Sequence, residues 1–391
     1  MGSRRSVVIG LVVVALAVAA VVAAVVVAGG DDTAPIGAVA AVQDDHLPVD
    51  PIEAIPDRLD LIAETGVTTT RVDLFWGDIA PSRPDDPRDP SDPAYDWSRA
   101  DLIMLGLAER GITPIVSVYH TPPWASGGRV WPENGRFNVV APDPGAFGDF
   151  MAAVATRYAG GYESPGGAPL PEVRRFEIWN EPNLSGFFIP RGQEPGAEDV
   201  DHDVRLDEYA AMVEAAYRPI KEANADALVI AGVGGPRSST SDTGMSAVDW
   251  ANGLAARDIP LDAYSQHVYP AQPPEVQTEV IPSWSSIGRF LDELDRFRPG
   301  LPLYITEAGY TTSLTPYRQT AVTEEEQADY LEQIYSLPQL RTERIRAVVW
   351  FNLQDNANWP AGLMREDGSA KPAYDRFREV VDAQGGSALT D

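Results

Sequence analysis

Strand-like apolar runs alternate with amphipathic helical stretches along most of this chain, and the alternation counts to eight. Apolar runs without polar interruption are typical of parallel strands that are covered on both faces. Eight consecutive βα units predict an α/β fold, a closed (β/α)8 TIM barrel rather than an open doubly wound sheet. The predicted strands are residues 36–42, 67–74, 112–119, 173–180, 227–233, 261–268, 301–306 and 345–352.

Capping residues support this division into strands and helices. Thr323 and Glu326 form a capping-box pattern at the start of one helical stretch. Gly66 stands where a helix C-terminus needs a left-handed residue. The chain shows no sign of a second domain or an internal repeat. We therefore predict a single catalytic domain over residues 36–384 and a short C-terminal tail over 385–391.

The N-terminal segment predicts a membrane anchor. Residues 7–28 contain no charged or strongly polar side chain, and about 20 helical residues are enough to cross the hydrocarbon core of a bilayer. Arg4 and Arg5 precede this signal-anchor segment. The positive-inside rule therefore leaves residues 1–6 in the cytoplasm and places everything beyond a linker at 29–35 outside it. A cleaved signal peptide is the alternative, and the body of the chain would then be secreted.

Composition excludes several classes of function. The chain has 58 acidic and 30 basic residues, giving a formal net charge of -28. This argues against a nucleic-acid surface, because phosphate contacts need clustered positive side chains, whereas an uncharged glycan is indifferent to the field. The absence of cysteine excludes disulfides, thiolate metal sites and cysteine nucleophiles. Because the histidines are not clustered either, we predict neither a metal nor another cofactor.

Two glutamates stand where predicted strands run out into loops. Glu181 lies in Phe-Glu-Ile-Trp-Asn-Glu-Pro-Asn at 176–183, and Glu307 lies in Leu-Tyr-Ile-Thr-Glu-Ala-Gly-Tyr at 303–310. The carboxyl ends of barrel strands form one rim, which is where the active site of such a barrel lies. Two carboxyl groups there suit glycoside hydrolysis, in which one protonates the leaving oxygen and the other attacks the anomeric carbon or activates water.

Further polar and aromatic side chains fall at the same predicted rim. They are Arg71, Asp73, His120, Asn180, His267, Tyr269, Trp350 and Asn352. We predict that all of these except Asp73 and Asn352 bind the substrate, whereas Asp73 is as consistent with a structural acceptor of backbone amides. Glu177, four residues before Glu181, should point to the same side but deeper. We expect it to pair with an arginine inside the barrel rather than to take part in catalysis.

At these residues the chain resembles the clan A glycoside hydrolases, which are cellulase-type TIM-barrel glycosidases. Within them it is most similar to families 39 and 5, and more to family 39. The most specific motif is Trp-Asn-Glu-Pro-Asn at 179–183, and Ile-Thr-Glu-Ala-Gly at 305–309 is similar to the nucleophile motif of the seventh strand. The resemblance covers residues 36–384 and implies a retaining mechanism with a covalent glycosyl-enzyme intermediate. It implies that Glu181 acts as acid and then as base, and that Glu307 is the nucleophile.

The resemblance also assigns positions around the sugar. It implies that Asn180 hydrogen-bonds the 2-hydroxyl and that Trp350 forms the floor beneath the sugar at the cleavage site. The nucleophile must stay ionised, which Arg71, Tyr269 and His267 could secure, whereas the acid needs a pKa raised by the neighbouring carboxylate. Retention predicts that the two carboxyl groups lie about 5 Å apart.

Aromatic residues in the loops after the strands are candidates for sugar stacking, because aromatic faces pack on the apolar faces of sugar rings. Each of them is as consistent with a place in a loop core. The predicted stacking residues are Trp76, Trp124, Phe187 and Trp359, and Trp131, Phe188 and Tyr310 lie in similar loops.

The sequence thus predicts an exported, membrane-tethered, retaining glycoside hydrolase that cleaves a cell-surface or extracellular polysaccharide or oligosaccharide. Its expected partners are this carbohydrate and, through the N-terminal helix, the membrane. A non-catalytic surface barrel that binds glycan is one alternative, although a binding protein has no need of a matched acid and nucleophile. A transglycosylase or hydrolase associated with exopolysaccharide synthesis is another, and only the acceptor distinguishes it.

Overall fold

The computed structural model describes residues 37–131, 137–197 and 201–389. Within these ranges, no helix is both long enough and apolar enough to span a bilayer. The predicted anchor at 7–28 and the linker that follows it lie outside the described residues, so the anchor stays a prediction.

Eight parallel strands close into a barrel in chain order, with the first strand hydrogen-bonded to the last. Parallel neighbours need a crossover between successive strands, and helices provide it. The strands are β1 Val39–Gln43, β2 Thr69–Phe75, β3 Thr113–Tyr119, β4 Arg175–Ile178, β5 Leu228–Gly234, β6 Ala263–Gln266, β7 Leu303–Ala308 and β8 Ile345–Phe351. The predicted (β/α)8 barrel and its eight strands are confirmed, with limits that differ by only a few residues.

The helices cover the outside of the barrel and bury their apolar faces against it. They are α1 Ile55–Glu64, α2 Trp76–Ile79, α3 Ser98–Glu109, α4 Pro144–Arg157, α5 His202–Ala223, α6 Ala247–Ala255, α7 Ile287–Phe297, α8 Glu324–Ser336 and α9 Pro372–Ala383. The predicted capping box is confirmed at α8, where Thr323 and Glu326 each accept a hydrogen bond from the other's backbone N–H. Gly66, just after α1, has the predicted left-handed conformation with φ 83°.

The inside of the barrel is layered along the strand direction. An apolar layer fills its middle and consists of Ala41, Ile115, Ile230, Ala263, Tyr304, Ala347 and Val349. Side chains two residues further along a strand point the same way but lie nearer its carboxyl end. In β1, β3 and β7 these are the polar residues Gln43, Ser117 and Thr306. A buried polar layer therefore rests on a packed floor, directly beneath the rim where the active site was predicted.

Candidate active site

A buried arginine connects the polar layer to the rim. Arg71, in β2, is fully buried, and its guanidinium carries N–H donors in a fixed planar fork. Nε donates one hydrogen bond, and Nη1 and Nη2 donate two each. The acceptors are Glu177 (2.6 Å) for Nε, Gln43 (2.8 Å) and Glu307 (2.9 Å) for Nη1, and Ser117 (3.0 Å) and Asn180 (2.8 Å) for Nη2.

Arg71 therefore has no donor left for a sugar, and its prediction as a substrate-binding residue is wrong. Its hydrogen bonds instead fix the positions of Glu307 and Asn180. The predicted pairing of Glu177 with an arginine inside the barrel is confirmed by the 2.6 Å contact. Although burial opposes ionisation, Arg71 and His267 hold the pKa of Glu177 below its ordinary value. The guanidinium thus neutralises a buried carboxylate while placing positive charge beside Glu307.

Glu307, in β7, lies between two hydrogen-bond donors. Arg71 Nη1 is 2.9 Å from Oε1, and the Tyr269 hydroxyl donates to Oε2 at 2.8 Å. Burial raises the pKa of Glu307, while His267 and Arg71 favour its charged form. These donors are the ones predicted to help this carboxylate stay ionised.

The loop after β4 presents Glu181 through an unusual backbone conformation. Trp179 and Glu181 have φ angles of 68° and 43°, in the left-handed region that residues other than glycine rarely occupy. Packing holds this turn, because the Trp179 ring is fully buried and its Nε1 donates to the Phe187 carbonyl at 2.7 Å. On the other side, the Asn183 side chain accepts from the Gly235 N–H at 2.7 Å. The fold, rather than a free loop, therefore sets the position of Glu181.

Gly235 leaves room for the Glu181 carboxyl group. A Cβ at position 235 would lie 3.0 Å from Cδ of Glu181 and 2.6 Å from Cδ1 of Leu184. Both separations are shorter than ordinary van der Waals contact between carbon atoms. Any larger residue at this position would have to displace one of the two side chains.

Glu181 has weaker partners than Glu307. Nδ1 of His267 lies 2.8 Å from Glu181 Oε1 and 3.4 Å from Glu307 Oε2. Burial lowers the pKa of His267, while the neighbouring Glu307 opposes this shift. Burial raises the pKa of Glu181 to about 7, with Arg71 and Arg318 opposing the shift. Glu181 is therefore suited to hold a proton near neutral pH.

The two carboxyl groups lie close together. An oxygen of Glu181 and an oxygen of Glu307 are within 4.8 Å of each other, and a ring nitrogen of His267 is within the same distance of both. The glutamates predicted from two separate motifs, with the histidine from β6, thus form one cluster. This separation is too short to admit a water between the two carboxyl groups. The arrangement therefore suits direct attack on the sugar by one of them.

Asn180 and His120 lie at the same rim but differ in their contacts. Asn180 accepts from Arg71 through Oδ1, while its Nδ2 makes no hydrogen bond to a described residue and is not enclosed. That donor fits the predicted contact with a sugar hydroxyl. His120 follows β3 at the same rim and lies among aromatic rings, 4.5 Å from Phe75 and 4.2 Å from Tyr119 between centroids. The predictions that Asn180, His120, His267 and Tyr269 bind substrate stay open.

Trp350 does not face the site. In β8, Val349 belongs to the apolar layer inside the barrel, whereas Trp350 packs in the core between the barrel and the helices. Its ring is fully buried, and Nε1 donates to the Ala361 carbonyl at 2.9 Å. Strand alternation instead turns Phe351 toward the barrel mouth, where its ring centroid lies 6.2 Å from that of Trp359. The prediction of Trp350 as the floor beneath the sugar is wrong, and Phe351 is the aromatic residue that β8 offers there.

The predicted stacking residues divide into core and cleft. Trp76 is fully buried and stacks on a ring of α4 at 5.7 Å, so its prediction as a stacking residue is wrong. Trp124 is half-buried, lies edge-on to Trp76 at 5.6 Å and donates to the Ala80 carbonyl. Phe187 is 37% exposed, and Trp359 lies 4.9 Å from the ring of Tyr269. Trp359 is thus the predicted stacking residue that packs against Tyr269, whose hydroxyl bonds Glu307.

Sequence patterns did not point to several residues of the site. Gln43 and Ser117 accept hydrogen bonds from Arg71. Gln43 ends an apolar strand and Ser117 lies within one, and such an isolated polar residue is a signal by which the sequence could have identified them. Arg318 comes from the loop after β7 and acts electrostatically on Glu181. Nothing in the pattern around Arg318 distinguishes it from other surface arginines.

Among the residues that the structure describes, two groups have the spacing of a three-ligand metal site. They are Glu181 with His267 and Glu307, and Asp44 with Asp45 and His46. In the first group a cation would stand beside the Arg71 guanidinium. In the second, Arg58 donates to both oxygens of Asp44, and side-chain amides donate to both oxygens of Asp45. Existing hydrogen bonds therefore compete with a metal in both places.

The comparison with known families decides between the two that the sequence resembles. Residues 56–341, more than half of the chain, match the sequence model of glycosyl hydrolases family 39. The chain belongs to this family. Its membership confirms the resemblance to clan A.

Individual relatives agree with this classification. A β-xylosidase from Geobacillus stearothermophilus is 27% identical over 240 residues, which cover 57% of this chain and 42% of that enzyme. The chain therefore spans less than half the length of this curated relative.

Solved structures show the same fold. A family 39 glycoside hydrolase from Bacteroides cellulosilyticus WH2 has a TM-score of 0.59 at 19% identity, covering 89% of this chain and 64% of that one. A glucosidase from Croceicoccus marinus has a TM-score of 0.66 at 15% identity, covering 91% and 69%. At these identities the likeness describes the barrel and leaves the substrate open.

Proposed function

We propose that this family 39 domain is a retaining O-glycosyl hydrolase in which Glu307 is the nucleophile and Glu181 the acid and base. The observation that carries the proposal is the 4.8 Å limit on the separation of their carboxyl oxygens. Retaining enzymes hold the two groups about 5 Å apart, whereas inverting enzymes need roughly 6.5 to 9.5 Å to admit a water. The different partners of the two glutamates support the division of roles.

In the first step, an Oε atom of Glu307 attacks the anomeric carbon and forms a covalent bond to it. The bond from that carbon to the leaving oxygen breaks, and Glu181 gives its proton to this oxygen. A pKa of about 7 leaves Glu181 mostly protonated at mildly acidic pH and partly protonated at neutral pH. The hydrogen bonds from Arg71 and Tyr269 hold the Glu307 carboxylate in place for attack.

In the second step, Glu181 takes a proton from water as the water oxygen attacks the anomeric carbon and releases Glu307. The ester bond to the sugar has meanwhile removed the negative charge of Glu307. Loss of a neighbouring like charge favours the ionised form of Glu181, which is the form that a base needs. The same residue thus serves both steps with opposite protonation states.

For the substrate, we propose a β-linked glycan and take β-xylosides as the first to test, because a curated relative is a β-xylosidase. We further propose that the enzyme acts outside the cytoplasm on a cell-surface or extracellular polysaccharide, tethered by residues 7–28. The apolar character of that segment and the arginines before it support this placement.

The experiment that tests the mechanism is covalent trapping. Protein from about residue 31 onward is incubated with a panel of 2-deoxy-2-fluoro glycosyl fluorides, digested, and analysed by mass spectrometry. The fluorine slows both steps, and the fluoride leaving group restores the first, so a retaining enzyme accumulates its glycosyl-enzyme intermediate. We expect an adduct on the peptide that contains Glu307.

The possible results separate the alternatives. Binding of glycans with no adduct from any sugar of the panel would favour the non-catalytic barrel. An adduct that a sugar acceptor releases much faster than water does would favour a transglycosylase. An adduct on a peptide without Glu307 would contradict the nucleophile assignment.

Gly235→Ala should lower kcat by about tenfold to a hundredfold, because small misplacements of catalytic groups cost that much. The new methyl group would meet the Glu181 carboxyl carbon at 3.0 Å and Leu184 at 2.6 Å. Steady-state kinetics on an aryl glycoside and a thermal melt would separate misplacement of Glu181 from loss of fold.

Gly288→Ala is the matched control. It lies in α7, and a Cβ there would have its nearest neighbour at 3.9 Å, so the added methyl fits without displacement. Activity of the control should equal that of the wild type. An unchanged kcat for Gly235→Ala would show that the loop shifts without moving the acid.

A further inference from the structure

Arg318 is held at the mouth of the site by two aromatic rings. Its guanidinium carbon lies 5.8 Å from the ring centroid of Tyr269 and 5.7 Å from that of Trp359, within the range of cation–π attraction. Nη2 donates to the Tyr269 carbonyl at 2.9 Å. Since the Tyr269 hydroxyl also bonds Glu307, this arginine is one residue removed from the nucleophile.

Arg318 differs from most arginines of this acidic chain in having no ion pair. No carboxylate of the described residues lies within 4.0 Å of it. Its Nε is buried without a hydrogen-bond partner, and its Nη1 makes no hydrogen bond to a described residue yet is not enclosed. A guanidinium keeps its charge in such a place. The cation therefore has a free donor and an unmatched charge at the cleft.

Arg318 packs on Tyr269 and Trp359, and its charge also acts on Glu181. It opposes the rise in the pKa of Glu181, the group that delivers a proton to the leaving oxygen. A sugar attached through that oxygen lies beside Glu181, which is within 4.8 Å of Glu307, and Arg318 packs on Tyr269, whose hydroxyl bonds Glu307. Trp359, which contacts the guanidinium, is half-buried and could support the ring of that sugar.

On this geometry we propose that Arg318 binds a carboxylate on the leaving-group sugar. The enzyme then prefers to cleave a bond whose reducing-side sugar is a uronic acid or carries another carboxylate substituent. This inference rests on the proposed hydrolase function and adds a substrate class to it. The planar guanidinium suits a carboxylate better than a hydroxyl, because charge-assisted hydrogen bonds are about twice as strong as neutral ones.

The net charge of -28 acts against this preference only at long range. At physiological salt the Debye length is about 8 Å, so distant surface carboxylates are largely screened from a ligand in the cleft. A direct contact with a partly buried guanidinium is screened much less. The local contact therefore decides the preference for a charged group.

The test compares two leaving groups on one sugar. The substrates are the 4-carboxyphenyl and 4-carbamoylphenyl glycosides of whichever sugar the enzyme hydrolyses, so that one phenol carries a carboxylate and the other a neutral amide. The ratio of their kcat/KM values is measured for the wild type and for Arg318→Met, each at its own pH optimum. Methionine keeps apolar contact with the two rings and removes the charge. The intrinsic reactivity of the phenols cancels when the ratio is compared between proteins.

We expect Arg318→Met to lower this ratio by about tenfold to a hundredfold, the range of one charge-assisted hydrogen bond. Arg318→Lys, which keeps a charge but not the planar fork, should lose less. As a control, Arg218→Met removes an arginine whose side chain is 84% exposed and paired with Glu222, and it should leave the ratio unchanged.

A merely structural role for Arg318 would lower both rates together and leave the ratio as it is, which overturns the proposal. A second pair of substrates, a glucoside and a glucuronide with the same neutral phenol, locates the contact. Arg318→Met could change the ratio of kcat/KM between glucuronide and glucoside and leave the ratio between the two phenols unchanged. That result would place the carboxylate on the sugar that carries the anomeric carbon, and it would also overturn the proposal. Failure of the wild type to hydrolyse any neutral aryl glycoside would instead count against the proposed hydrolase function.

Discussion

Glu307→Gln is expected to lower kcat by about four to six orders of magnitude, the scale seen when a covalent nucleophile is removed, and to leave glycan binding intact. Glutamine keeps the shape of the side chain. Its amide oxygen can still accept from Arg71, which is 2.9 Å from Oε1, and the Tyr269 hydroxyl can turn to accept from its amide nitrogen. The variant cannot form the bond to the anomeric carbon. Kinetics on an aryl glycoside and calorimetric titration with an intact glycan would measure the two effects.

Glu177→Gln is the matched control for this result. Glu177 is also a buried glutamate bonded to Arg71, with the Thr306 hydroxyl donating to its other oxygen at 2.6 Å. Its replacement should lower the free energy of unfolding by about 3 to 5 kcal/mol, because one partner of a fully buried ion pair loses its charge. It should still form the covalent adduct with a fluorinated sugar, whereas Glu307→Gln should not. Normal hydrolysis by a folded Glu307→Gln protein would remove Glu307 from the nucleophile role.

The sequence predicted the barrel because each level of the pattern agreed with the others. Apolar runs of strand length, helical spacing between them and capping residues such as Thr323 all indicated the same alternation. The rim could be predicted for the same reason, since the carboxyl ends of parallel strands have to meet. Glu181 and Glu307 were recognisable because each is a charged residue directly after an apolar run, within a specific motif.

The direction of individual side chains was harder to predict. In β8 the residues from Val348 to Phe351 are all apolar, because parallel strands are buried on both faces. Such a run has no polar and apolar alternation to show which side chains enter the barrel. The prediction that Trp350 faces the interior is therefore wrong, and Phe351 points there instead. The prediction for Trp76 is wrong for a similar reason, since an aromatic residue after a strand can pack either under a helix or in the cleft.

The full set of hydrogen-bond partners was also beyond prediction. The place of Arg71 in β2 predicts that it reaches the rim. That five acceptors occupy all its donors depends on four other strands and one loop meeting around it. The contacts of Arg318 could not be predicted either, because it lies in a loop, where neither periodicity nor turn chemistry indicates where a side chain lies. Its relation to Tyr269 and Trp359 exists only in the folded chain.

Glu181→Ala should affect substrates according to their leaving groups. General acid catalysis contributes about 10² to 10⁴ in rate, and a poor leaving group such as a sugar hydroxyl needs all of it. A dinitrophenyl glycoside leaves without protonation, so its first step should be little affected. We therefore expect kcat/KM to fall by about 10² to 10⁴ for an oligosaccharide and far less for the activated glycoside. Glu194→Ala, in the same loop but 79% exposed, should change neither.

The pH dependence of kcat/KM checks the same assignment independently. Glu181 acts first as an acid, and burial raises its pKa to about 7 in the free enzyme. Hydrolysis by the wild type should therefore decline as the pH rises through about 7, when Glu181 loses its proton, and it should also decline at low pH, where the Glu307 carboxylate becomes protonated. In Glu181→Ala the decline near pH 7 should disappear for the activated glycoside. Equal losses on both substrates, or a decline near pH 7 that persists without Glu181, would mean that another group delivers the proton, and His267, 2.8 Å away, would be the first to examine.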